Sequence, residues 1–109
     1  MATALKVLGQ VVPSAATLTT LYTVPASTSA VVSSLTVSNN SATGTTFRVA
    51  VRPAGAAIDP KHYIYYDVPI AGNDTFIATI GVSLATTDVV SVYATLATLA
   101  FNAFGQENT

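Results

Sequence analysis

The chain has 109 residues, enough for one domain with a single core and short for two. Hydrophobic residues make up 50% and charged residues 8%, and four Lys and Arg stand against five Asp and Glu for a net charge of -1. Four scattered cations cannot supply the basic surface that nucleic acid needs, and the absence of cysteine excludes disulfide scaffolds, thiol catalysis and cysteine zinc sites.

A lone soluble domain carries about 25% charged residues. With so much less, the surface must be finished by Thr, Ser, Ala and Val, which invites contact with other chains. An assembled protein is therefore expected.

Residues 1–13 hold an apolar run at 5–12, split by Gly9 and ended by Pro13. The run reads equally as an edge strand or as an arm reaching a neighbour, with Leu5 and Val7 as candidate partner contacts; residues 14–109 form the domain proper. Lys6 lies inside the run instead of ahead of it, unlike a signal peptide.

Leu18, Leu21, Tyr22 and Val24 lead into a Pro25 turn rich in hydroxyl residues. Residues 30–38 (AVVSSLTVS) read as a strand that ends in the turn cluster 39–44, and Thr45–Arg52 follows as its hairpin partner. In that second strand Phe47, Val49 and Val51 recur at period 2, which leaves Arg48 and Arg52 together on the other face. Thr, Val and Phe also prefer the pleated backbone.

Pro53 and Gly55 break the strand, and residues 56–62 are irregular. Residues 63–68 (YIYYDV) are dense in aromatics and predict a strand stopped by Pro69, with Tyr63 and Tyr65 on one face and Tyr66 on the other. After a turn at 71–74, residues 75–80 alternate Phe76, Ala78 and Ile80 against Thr75, Ile77 and Thr79. Gly81 and the turn at 85–88 follow. Residues 89–96 and 99–104 supply one or two last strands, whose period slips by one near Ala97 and Thr98 as a bulge or tight turn requires, and 106–109 make a polar end. The stretch 89–106 lacks charge and reaches the length of a short membrane span, yet its alternation of apolar with Thr, Ser and Asn argues strand.

About seven or eight short strands with no convincing helix predict an all-β fold: a single antiparallel β-sandwich or jelly-roll-like domain.

The succession Leu21-Tyr-Thr-Val-Pro-Ala, then residues 30–39, then Thr46-Phe-Arg-Val-Ala-Val-Arg-Pro-Ala-Gly resembles small all-β virion proteins of tailed bacteriophages. The likeness continues through Val68-Pro-Ile-Ala-Gly-Asn-Asp-Thr-Phe, the 82–92 stretch with Leu84 and Asp88, and Phe104-Gly, and so covers nearly all the chain after Pro13. It implies a non-enzymatic structural protein without cofactor. A capsid cement or decoration protein that bridges shell subunits is its first implication, and a neck, collar or tail fibre component its second. It further implies a homo-oligomer, with a trimer preferred, and contact with the major capsid protein or another virion protein. No nucleic acid or membrane partner is expected.

Among the polar residues, Asp59, His62 and Asp67 lie close in sequence and include the single histidine. A metal site would need three or four converging ligands, and surface loop residues explain the group as well. No Gly-x-Ser-x-Gly elbow occurs. The pair Tyr63 and Tyr65 is a candidate aromatic contact for a sugar ring or a partner pocket, against the alternative of a core finished by tyrosines. Arg48 and Arg52 are candidates for gripping carboxylates of another chain, or else pair with Asp67, Asp74 or Asp88 within the fold. The triplets at Asn39 and Asn73 match the glycosylation pattern but read as turn residues.

Overall fold

Alternation at period 2, broken by turn residues every few positions, leaves the backbone no route to satisfy its hydrogen bonds except between strands. The computed structural model describes residues 2–109, and its described residues form nine strands. They are β1 (Thr3–Val11), β2 (Thr19–Thr23), β3 (Ser29–Asn39), β4 (Thr45–Arg52), β5 (Tyr63–Ile70), β6 (Thr75–Ala78), β7 (Val82–Leu84), β8 (Val89–Ala94) and β9 (Leu99–Asn108). Two 3-10 turns, Pro53–Gly55 and Pro60–His62, occupy the irregular stretch between β4 and β5.

The strands make two antiparallel sheets. The first runs β1-β9-β3-β6, with β7 also paired to β3; the second runs β2-β8-β4-β5. Strands β6 and β7 lie end to end along one edge of β3, since Thr75 to Ala78 pair with Ser38 to Leu35 and Val82 to Leu84 with Val32 to Ala30.

Every residue of β3 and β9 that faces inward is apolar or small, apart from Asn39 and the end of β9, so the core follows from their alternation: Ala30, Val32, Leu35 and Val37 meet Leu99, Phe101 and Ala103. From the second sheet come Phe47, Val49, Val90, Val92 and Ala94. The Phe47 ring sits at the centre, 6.0 Å from Phe101 and 5.1 Å from Phe76, in the tilted and edge-on geometries that ring quadrupoles favour.

The segment at 39–44 is not a hairpin. Strand β3 belongs to the first sheet and β4 to the second, so the chain crosses between layers there. Asn39, 2% exposed, makes the crossing possible: its amide donates to the Thr43 carbonyl at 2.8 Å and the Ala71 carbonyl at 3.2 Å, and its oxygen accepts from Ser41 N–H at 3.1 Å. Asn73 N–H donates to the Ser41 carbonyl at 2.8 Å, which stitches the 39–44 and 71–74 turns together. Residues 95–98, where the period slips, likewise carry the chain from β8 in one sheet to β9 in the other. The 106–109 stretch, expected as a polar tail, is the end of β9 as far as Asn108, because β1 and β3 flank it on either side.

Residues 3–11 form an edge strand paired to β9 and not a free arm. Gly9 is required here, since a Cβ would collide with the backbone carbonyl of Leu21 where the edges of the two sheets close on each other. The uncharged 89–106 stretch is spent on β8 and β9, and among the described residues no helix is long and apolar enough to cross a membrane.

Candidate functional site

The two outward faces differ in chemistry. On the first sheet the register turns Thr3, Leu5, Val7 and Gln10 of β1 outward beside Asn108, Gln106, Phe104 and Asn102 of β9. Next to them stand Val31, Ser34, Thr36 and Ser38 of β3, and then Ile77 and Thr75 of β6. Cross-strand hydrogen bonds knit the polar members, with Gln10 donating to Asn102 at 2.7 Å and Thr3 to Asn108 at 2.9 Å. None of the four cationic and five acidic residues takes an outward register position on this sheet. Leu5 is 81% exposed, Ile77 66% and Val7 47%.

Lys6 and Glu107, the two charged residues of β1 and β9, fall on inward positions opposite Gly105 and Ala30. They close one end between the sheets: Lys6 Nζ lies 3.0 Å from one Glu107 oxygen, and the Tyr22 hydroxyl from the other sheet donates to the second at 2.5 Å. The Tyr22 hydrogen bond, then Lys6, pulls the Glu107 carboxyl below its ordinary value. Burial, then Glu107, pushes the Tyr22 hydroxyl well above its own.

The outward face of the second sheet carries the arginines and tyrosines. Part of it is roofed, for Ala50 and Ser91 occupy outward positions yet are buried. The roof is the 53–62 segment, held down by Arg52, whose Nε donates to Ser91 Oγ at 3.1 Å and whose Nη1 donates to the Ala56 carbonyl at 2.9 Å. Asp88 secures the same segment by accepting from Ala54 N–H at 2.9 Å. Arg52 thus pairs with no carboxylate; its fork is spent on a hydroxyl and main-chain carbonyls.

Arg48 pairs with Asp67, Nε to Oδ1, at 2.6 Å, and this hydrogen bond raises the guanidinium further above its ordinary value. Its carbon stands 4.2 Å from the centre of the Tyr66 ring and 4.4 Å from that of Tyr93. Tyr93 carried no signal in the sequence; it reaches this cluster because β8 pairs it directly with Arg48.

The tyrosines do not divide as strict alternation predicts. Adjacent Val49 and Ala50 pair with Tyr65 and Tyr63, which leaves Ile64 as an extra residue, and a second irregularity follows between Tyr65 and Val68, where Asp67 adopts a left-handed φ of 50°. Each extra residue reverses the parity of the strand. Tyr65 therefore turns inward against Phe76 at 5.2 Å, while Tyr63 shares the outer face with Tyr66, their rings edge to face at 5.0 Å. Beside these two rings opens a cleft of about 510 Å³ lined by Ile58, Asp59, Pro60, Tyr63 and Tyr66.

His62 is buried, and its Nδ1 accepts from Asp59 N–H at 3.1 Å in a reciprocal cap of the Pro60–His62 turn. Asp67 is engaged elsewhere, by Arg48, and among the described residues no group of three or more His, Asp or Glu could hold a metal ion. No protein-family model matches the chain, and neither does any curated protein or solved structure.

Proposed function

We propose that the chain is a non-enzymatic structural protein of a tailed-phage particle, a cement or decoration protein that self-associates and clasps the capsid through the outward face of its first sheet. The observation that carries this reading is the charge-free face with Leu5, Val7 and Ile77 standing in water. Covering it desolvates no ion, so apolar burial at roughly 25 cal/mol per Å² acts without an opposing charge penalty. The molecule measures 45 × 27 × 19 Å, and its broad side can supply the roughly 800 Å² per partner typical of a stable contact. Leu5 and Val7 then belong to the interface, while Arg48 and Arg52, engaged within the chain on the opposite face, do not.

The strand orders support a jelly-roll sandwich. With β6 and β7 taken as one interrupted strand, the sheets run first-eighth-third-sixth and second-seventh-fourth-fifth, the two-Greek-key arrangement common in viral capsid proteins and lectins. The phage particle and the trimer rest on the sequence resemblance, and fold likeness alone assigns no activity.

Light scattering of the purified protein tests self-association, with a closed multimer, a trimer by preference, as the expected mass. A monomer at high concentration that also fails to sediment with emptied capsids overturns the reading. On purified particles, a copy number that scales with the major capsid protein places it on the shell, and a small fixed number moves it to the neck or tail.

A further inference from the structure

The face opposite the proposed capsid contact has its own binding geometry. We infer that the cleft beside Tyr63 and Tyr66 takes a neutral sugar ring, so that the protein carries a glycan-binding site on the outward side of its second sheet.

At about 510 Å³ the cleft has the size of a small-ligand site. Tyr66 is 57% exposed, an unusual share for a ring so firmly held. Tyr63 abuts it edge to face, and the Arg48 guanidinium, itself fixed by Asp67 and Tyr93, lies over it. A ligand stacking here loses little to ordering the site, because the site is already ordered. The C–H face of a pyranose matches an aromatic ring, and the tyrosine hydroxyls can donate to or accept from its hydroxyl groups. Asp59 adds a carboxylate at the wall; Lys61 N–H takes one of its oxygens at 3.2 Å, and the other can accept from a sugar hydroxyl.

The charges select against other occupants. Asp59 in the wall repels an anion, and the Arg48 charge is already paired with Asp67. A quaternary ammonium would bring a second positive charge to the Tyr66 ring beside the Arg48 guanidinium. A neutral polyhydroxy ring meets neither objection. Because the cleft and the charge-free face lie on opposite sheets, covering one leaves the other open.

The test uses the isolated 109-residue chain, so it does not depend on capsid attachment. Chitotriose, cellotriose, mannotriose and maltotriose are titrated while tyrosine fluorescence and NMR shifts of Tyr63 and Tyr66 are followed. At least one should saturate, with Tyr66→Ala and Tyr63→Ala each weakening it by about tenfold, the scale of one lost stacking partner. Tyr66→Phe should stay within about threefold, since the stacking face survives, and Ile77→Lys on the other sheet should change nothing. Far-ultraviolet circular dichroism checks that each variant is folded. Failure of all four sugars to saturate by about 10 mM, binding unaltered in folded Tyr66→Ala, or saturation only by a proline-rich peptide would each overturn the inference.

Discussion

The Arg48 guanidinium lies 4.2 Å from the centre of the Tyr66 ring while its Nε holds Asp67 at 2.6 Å, so one side chain fixes both an aromatic platform and the irregular turn of strand that presents it. Arg48→Ala should therefore cost little stability, about 1 kcal/mol, because the ion pair and the ring contact are partly exposed to water. Its larger effect should be local: the NMR signals of the Tyr66 ring should broaden or shift, and Arg48→Lys should not restore them, since an ammonium lacks the flat fork. Unchanged Tyr66 signals in Arg48→Ala would show that the platform is held by other means.

Asn39 tests the crossing between the sheets. Asn39→Ala strips partners from the Thr43 and Ala71 carbonyls and the Ser41 N–H, and leaving such groups unpaired costs about 1 to 3 kcal/mol. Asn39→Asp should lose most of this as well, since a carboxylate cannot donate to two carbonyls. Urea denaturation measures the loss as a lower midpoint at unchanged slope.

The Tyr22, Glu107 and Lys6 cluster predicts how stability responds to pH. The native pKa of Glu107 is lowered, so its contribution is whole above the unfolded value of about 4.3 and is lost as pH falls through the native one. Tyr22 is shifted the other way, and its contribution is whole below the unfolded value of about 10 and lost as pH rises beyond it. Glu107→Gln should flatten the acid limb of a melting-temperature profile between about pH 5 and 2. An acid limb as steep as in the unsubstituted protein would mean that other carboxylates dominate.

Association through the first sheet should be nearly indifferent to salt, because no charged side chain takes an outward position there. Multimer mass should hold or rise between about 0.05 and 1 M sodium chloride, across which exposed ion pairs are screened. Leu5→Lys and Ile77→Lys should shift the equilibrium toward monomer while leaving folding stability within about 0.5 kcal/mol, as both side chains already stand in water. Dissociation by salt would point instead to the charged groups of the second sheet.

Period-2 patterning, β-branched residues and turn clusters made the strands and most of their limits readable from residue order: the Thr45–Arg52 strand, the inward trio Phe47, Val49 and Val51, and the outward Arg48 all stand where alternation puts them. The shortage of charge was equally plain, being a matter of composition. Residue order could not say which strands pair. A turn such as 39–44 looks the same whether the chain doubles back within one sheet or crosses to another, and the long-range partners of β3, namely β9, β6 and β7, decide between them. Nor could it place Tyr63 beside Tyr66, because an extra residue in a strand reverses which side each later residue faces and leaves no mark in the local pattern. The fold class therefore lay in local alternation, whereas the cleft and the turning of Lys6 and Glu107 away from the outward face of the first sheet arose only from register, which is set by packing between residues far apart in the chain.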